Sequence, residues 1–260
     1  MKYSASQLLA KGLEILNLFL IHSEEMTLAE ISQLSGINKS TVHRIVSTLV
    51  SYGYLNQSIK RGKYSLGTIY LSFSGIIKSR SKLRSIALPY IFKMSQLVDE
   101  PVVMAYKNEF GSLYTETFHG ESQKHNLLSI GLDEASGTPL HSTCSGKIVL
   151  ADMSSEELKY FFNNTNLIRY TRKTIINIKD MEKHLVKIRR DGIAFDDEES
   201  SLGVRGVAAG IRDVDENLWG TIAVVAPSVR LNKTKMRKLV PDIKKYALAI
   251  SKELGFKVDS

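Results

Sequence analysis

Along the first fifty residues, apolar positions recur every three or four places. Leu9, Leu13, Leu16 and Leu20 repeat at helical spacing and predict a first helix. Thr27-x-x-Glu30 has the spacing of a capping box, so a second helix starts near Leu28 and buries Leu28, Ile31 and Leu34. The stretch "SGIN" (35–38) breaks the pattern, with Gly36 as a C-terminal stop and Asn38 as the N-cap of a third helix over 39–52. Val42, Ile45, Val46 and Leu49 form its inner stripe. Its outer face carries Lys39, Ser40, Thr41, His43, Arg44 and Ser47. "GYLNQSIKRGKYSLG" (53–67) reads as strand, turn and strand, with a basic tip of Lys60, Arg61, Gly62 and Lys63.

From Thr68 to Gln96 the pattern is helical in two segments. Ile69, Phe73, Ile76 and Ile77 make one stripe, and Leu83, Ala87, Tyr90, Ile91 and Met94 another. "KSRSKLRS" (78–85) reads as the linker between them, and Pro89 falls in the first turn of the second segment or kinks it. After Pro101 the runs become short and β-rich, at 102–106, 112–117, 126–130, 192–196, 206–211 and 219–227. Helices lie among them. Ser154-x-x-Glu157 caps one that runs to Phe162. Residues 178–190 place Ile178, Met181, Leu185 and Ile188 on one face and Lys179, Lys183, Lys187 and Arg190 on a solvated opposite face. Residues 234–254 form a last helix stopped at Gly255, with Pro241 as a kink or a later start. The class this implies is α+β: an N-terminal winged helix-turn-helix (1–66), a linker helix (67–84) and a mixed α/β second domain (85–260).

Charge sharpens this division. Residues 1–84 hold 11 Lys/Arg against 4 Asp/Glu, a net +7, while residues 85–260 hold 24 against 23, a net +1. Nearly all of the chain's net +8 therefore sits on the module with the basic outer helix face. That placement suits a duplex polyanion. Arg44 presents a planar fork that can read guanine bidentately. Lys39, Ser40 and Thr41 stand at a helix N-terminus and suit phosphate oxygens, as do Lys60, Arg61 and Lys63 of the wing.

The 260 residues include a single cysteine, which excludes an internal disulfide and fits a reducing compartment. The N-terminal apolar stretch is interrupted by Lys11 and Glu14 and lacks a cleavage site, so it reads as a helix rather than a signal peptide. No apolar run is long enough for a membrane span. The expectation is a cytoplasmic protein without membrane contact.

"GTPLHSTCSGKIVLA" (137–151) is the stretch densest in chemistry. Gly146-Lys147 is not a phosphate loop, because His141 stands where the first glycine is needed and Ile148 where Ser or Thr is needed. His141 and Cys144 would share a helix face, and with Asp196 they would make a nucleophilic site. No Asn or Asp is obviously placed to orient the histidine, and a buried cysteine is usually a small hydrophobe. The six histidines are scattered, with no metal-binding spacing. No cofactor and no metal are expected. Three functions stay in view: an effector-responsive DNA-binding regulator, an enzyme with a Cys144/His141/Asp196 site fused to a DNA-binding module, and a ligand sensor without DNA contact. The basic wing disfavours the third.

The same stretch resembles the hallmark segment of the IclR family of bacterial transcription regulators at Gly137, Pro139, Leu140, His141, Thr143, Gly146, Lys147, Leu150 and Ala151. "LRSIALPYI", "DGIAFDDEESSLGVRGVAAGI" and "AVVAPSVRL" resemble further segments of that family, so the likeness is essentially full length. The resemblance implies a GAF-like second domain that binds a small effector, and a dimer or dimer of dimers on a roughly palindromic operator. It implies effector contacts at Cys144, Ser145, Asp196, Gly206, Ala223 and Val225. Neighbouring walls fall at Leu127, Ile130, Thr138 and Val204, while His141 and Lys147 hold helix and loop. Repression is the expected direction. This sequence departs from the family at Gly206, where cysteine is usual, and at Gly210, where proline is common. Hydroxyl side chains stand in some members where Ala223 and Val225 do here. These departures predict a wall that has lost polar groups and bulk.

Overall fold

The computed structural model describes residues 6–22, 25–58, 62–107, 113–119 and 139–257. The chain divides into two compact units, the first ending at Ser81 and the second starting at Lys82.

In the first unit, α1 (Gln7–Ile21), α2 (Leu28–Ser35) and α3 (Lys39–Ser51) pack with a small sheet of β1 (Met26–Thr27), β2 (Leu55–Gln57) and β3 (Lys63–Leu66), in the order β1-β3-β2. The core is Ile15, Phe19, Met26, Ile31, Ile37, Val42, Ile45, Val46, Leu55 and Tyr64. Of the leucine repeat that predicts α1, only Leu16 packs against the core, and it is partly buried. Leu9, Leu13 and Leu20 are exposed, while Ile15 and Phe19 face the core. Leu34 is exposed as well, which leaves Ile31 as the fully buried anchor of α2. A further helix, α4 (Ile69–Arg80), follows the wing. It has no fully buried residue, and Leu71, Phe73, Ile76 and Ile77 are all exposed on it. Tyr54 holds it through ring contacts with Tyr70 and Phe73, at centroid distances of 5.8 and 6.2 Å.

The second unit begins with α5 (Lys82–Val98). The linker expected over 78–85 is helical on both sides of Ser81: Lys78 and Arg80 complete the last turn of α4, and Lys82 opens α5. Pro89 lies inside α5, beyond its first turn. Among the described residues five antiparallel strands follow, β4 (Val102–Lys107), β5 (Leu113–Phe118), β6 (Ala194–Asp197), β7 (Val204–Arg212) and β8 (Leu218–Pro227), in the order β5-β4-β8-β7-β6. The strand expected at 126–130 lies outside the described residues.

One face of this sheet packs on α5, α9 (Lys233–Lys238) and α10 (Val240–Glu253) around Ile91, Met94, Val207, Ile222, Ile243 and Ile250. The other packs on α6 (Cys144–Asp152), α7 (Ser155–Asn164) and α8 (Ile178–Asp191) around Val149, Leu158, Met181, Leu185, Ala208 and Ala223. The helix expected over 234–254 is thus two helices, and Pro241 stands in the first turn of the second, where its missing N–H costs nothing. Met181, Leu185 and Ile188 bury the inner face of α8, at about 1.5–3 kcal/mol each.

Candidate functional site: a recognition helix and the first turn of α6

The second helix starts as its sequence dictates. The Thr27 backbone N–H donates to Glu30 Oε2 at 2.7 Å, and the Glu30 N–H donates to Thr27 Oγ1 at 3.2 Å. Gly36 takes a left-handed conformation (φ 67°) that ends α2 and permits the tight turn. Ser32 Oγ pins that turn by donating to the Ile37 carbonyl at 2.6 Å. Asn38 then caps α3, its Oδ1 accepting from the Thr41 N–H and the Ser40 hydroxyl, both at 2.9 Å. Val42, Ile45 and Val46 turn inward, while Lys39, Ser40, His43 and Arg44 are exposed and Thr41 is half-buried. Ser47 extends the exposed row. β2 and β3 form the wing, whose turn closes with Ser58 N–H on the Lys63 carbonyl and Gly62 N–H on the Ser58 carbonyl, both at 2.9 Å. Lys63 is half-buried at its base. Lys60 and Arg61 lie outside the described residues.

In the second unit the quoted stretch opens α6. Thr143 is its N-cap, accepting from the Gly146 N–H at 3.1 Å and donating to the Pro139 carbonyl at 2.8 Å. Gly146 lies flat on Leu140: a Cβ there would stand 2.4 Å from the Leu140 Cα. His141 precedes the helix, so it does not share a helical face with Cys144. Its Nε2 is 2.9 Å from the Ile168 carbonyl, and its ring stacks on Tyr170. Ser145 is turned to the sheet, where its Oγ meets the Thr221 hydroxyl at 2.8 Å.

Asp196, Gly206 and Val225 lie side by side across β6, β7 and β8, with Ala208 and Ala223 in the next row of the same face. Cys144 lies over Gly206: a Cβ at Gly206 would come within 2.8 Å of the Cys144 sulfur. The wall expected to be open at Gly206 is therefore filled by the thiol. Val204 is half-buried at the start of β7. Leu127, Ile130 and Thr138 lie outside the described residues.

A cluster of buried charge holds the loop after β6. Lys147 is fully buried, and its Nζ donates to Glu199 Oε1 at 2.5 Å. Asp196 folds the same loop, Oδ1 accepting from the Glu199 N–H at 2.8 Å and the Ser200 N–H at 3.3 Å, and Oδ2 accepting from the Ser200 hydroxyl. Thr171 and Thr174 hydroxyls donate to the Glu198 and Glu199 carbonyls at 2.7 Å. Burial raises the pKa of Asp196, against the hydrogen bonds and the Lys147 charge that favour its anion. Burial, and then the Asp196 charge, push the Cys144 thiol up to about 12. A thiol so protonated at neutral pH is no nucleophile. Cys144, His141 and Asp196 are thus each committed elsewhere, to sheet packing, to a backbone carbonyl and to a loop. Lys147 does hold helix to loop, as the family resemblance implies; what sequence reasoning missed is its partner, Glu199.

A capped helix-turn-helix with a paired wing, followed by a second compact unit built on a five-stranded sheet, defines the architecture of a DNA-binding regulator. The IclR helix-turn-helix domain matches residues 8–58, and the bacterial transcriptional regulator IclR C-terminal domain matches residues 77–252. The chain belongs to the IclR family of transcriptional regulators. It is 26% identical to the HTH-type transcriptional regulator KipR of Bacillus subtilis over 95% of this chain and 96% of that one. It is 29% identical to the DNA-binding transcriptional repressor YiaJ of Escherichia coli, over 98% and 90%. A solved IclR homolog from Microbacterium hydrocarbonoxydans, complexed with 4-hydroxybenzoate, shares the fold at a TM-score of 0.74 and 23% identity, covering 96% of this chain and 99% of that one.

Proposed function

We propose that this regulator is a repressor that grips a roughly palindromic operator through α3 and the wing, and that a small organic acid bound at the first turn of α6 alters that grip. The observation that carries the DNA half is the exposed row Lys39, Ser40, His43 and Arg44 on a helix whose other face is core. Arg44 reads a base edge, Lys39, Ser40, Thr41 and His43 position the helix, and Lys60, Arg61 and Lys63 hold phosphates. The functional unit is a homodimer or a dimer of dimers, a reading supported by α4, which leaves Leu71 73% and Ile77 69% exposed. A two-fold pair matches a palindromic site.

The effector half rests on the capped first turn of α6, where Thr143 takes the Gly146 N–H, beside Cys144, Ser145, Asp196, Val204, Gly206, Ala223 and Val225. Leu127, Ile130 and Thr138 complete its expected wall. A carboxylate suits the amides of that turn, but Asp196 repels a bare acid and welcomes a hydroxyl donor. The effector class is an organic acid that also carries a hydroxyl, keto or aromatic group. 4-Hydroxybenzoate, held by the Microbacterium homolog, belongs to that class. The acid acts by binding two arrangements of the dimer unequally, and shifts the equilibrium by no more than that difference. Nothing in this reading calls for catalysis.

The test is binding of fluorescent genomic fragments, selected by the protein itself, across a salt series. Affinity should fall steeply as salt rises, and an acid of the stated class should shift it. Salt-independent binding, or no retained fragment, refutes the DNA reading. Sedimentation at micromolar concentration should show no monomer.

A further inference from the structure

Two consecutive side chains fasten the first turn of α6 to the sheet. Ser145 does so over β8, through the Thr221 hydroxyl at 2.8 Å. Cys144 does so over β7, where a Cβ on Gly206 would stand 2.8 Å from its sulfur and 3.3 Å from Val225 Cγ2. Gly206 is paired in register with Asp196 on one side and Val225 on the other, and its φ is not in the left-handed region. Its conformation is open to any residue. What calls for glycine is the space the sulfur takes.

We infer that Cys144 and Gly206 form one steric unit that sets the floor beneath the α6 amides, and so sets which size of acid the site prefers. The inference rests on the effector reading above. A smaller residue at 144 leaves a void that Gly206 has no atoms to fill. A side chain at 206 meets the sulfur and lifts the first turn. Lifting it carries the Cys144 and Ser145 amides with it and strains the Ser145–Thr221 hydrogen bond. The bulk at this point of the sheet is delivered by the helix, and the strand has given way to it. Alanine at both positions has the same number of side-chain heavy atoms as Cys144 with Gly206, divided between helix and strand.

Full-length Cys144→Ala, Gly206→Ala and the double variant, beside the parent chain, test this. Thermal unfolding followed by Trp219 fluorescence should show each single variant losing a few degrees. The double should regain most of that loss, because the methyl at 206 enters the space the sulfur vacated. Losses that simply add would overturn the steric unit. Ligand-induced shifts with 4-hydroxybenzoate and with pyruvate then read the floor. Cys144→Ala should move preference toward the bulkier acid and Gly206→Ala toward the smaller, each by several-fold, with the double returning to the parent's ratio. A coupled stability cycle with an unchanged acid ratio would overturn the specificity role and leave only packing. If neither these acids nor other hydroxy, keto and aromatic acids shift any of the four proteins, the effector reading and the specificity role fall together. The stability cycle alone then decides the steric unit.

Discussion

Lys147→Met is the substitution with the largest effect that the second unit's structure allows to be worked out. The methionine keeps the aliphatic stem in its buried slot and removes only the ammonium. Glu199 then loses the cation 2.5 Å from Oε1, while its Oε2 already has no hydrogen-bond partner among the described residues. Its side chain is only 10% exposed, so water cannot substitute freely. Breaking one side of a buried pair costs about 3–5 kcal/mol. With a urea slope of about 2 kcal/mol/M, the midpoint read by Trp219, the chain's single tryptophan, should fall by roughly 1.5–2.5 M at pH 7.5. Burial already raises the Glu199 pKa against the pull of Lys147, and without that cation it rises further. An acid whose folded pKa exceeds its unfolded value binds its proton in the native state first, so the native state gains as pH falls through the folded pKa. The deficit of Lys147→Met should therefore shrink at pH 5. Lys147→Met/Glu199→Leu should recover most of the loss at both pH values. A midpoint within 0.5 M of the parent (about 1 kcal/mol at the same slope), or a deficit that widens on acidification, would refute the reasoning.

Arg44→Ala should lose about 1–3 kcal/mol of operator binding and relax base preference, whereas Lys63→Ala should weaken all sequences alike and flatten the salt slope by about one; equal effects on every sequence for Arg44 would remove it from base reading. Ser145→Ala strands the Thr221 hydroxyl at 0% exposure and should cost about 1–3 kcal/mol, most of which Ser145→Ala/Thr221→Val restores in chemical denaturation. Burial, then Lys147 and Lys187, hold His184 down at about 4, so the unfolded chain takes its proton first and stability declines as pH falls from 6.5 toward 4. Allowing for partial solvent screening, His184→Leu should flatten that decline by about 1–2 kcal/mol, and an unaltered pH profile would show that the ring is not shielded as described.

Local chemistry was readable where a residue bonds to its own neighbourhood. Thr27 with Glu30, Asn38, and Ser154 with Glu157 cap the helices their spacing predicts. Facing was less readable. The helix α1 is apolar on two sides, and periodicity cannot say which one the fold covers; Ile15 and Phe19 won over Leu9, Leu13 and Leu20. The 78–85 stretch misled because charge resembles a linker. Yet basic residues at a helix C-terminus favour the dipole, and Lys78 and Arg80 sit there. The candidate effector positions reached this site through family likeness rather than pattern. Only coordinates could show that Cys144 fills the space over Gly206, because a contact between residues so distant in sequence leaves no period to detect.

The strand order of the second unit carries a consequence for how the chain is made. β7 and β8 can pair as soon as both exist, being joined by a short turn. β4 must wait, because Val102 pairs with Val224 about 120 residues later. Closing so long a loop is a slow, late event. On the ribosome the helix-turn-helix is complete long before β8 is synthesised, and domains emerging first fold first. Throughout that interval the nascent chain carries a finished operator-reading module ahead of a sheet whose middle strand does not yet exist. The edge of β4 that β8 will occupy is meanwhile an unpaired row of backbone donors and acceptors, open to any other strand that arrives before its own.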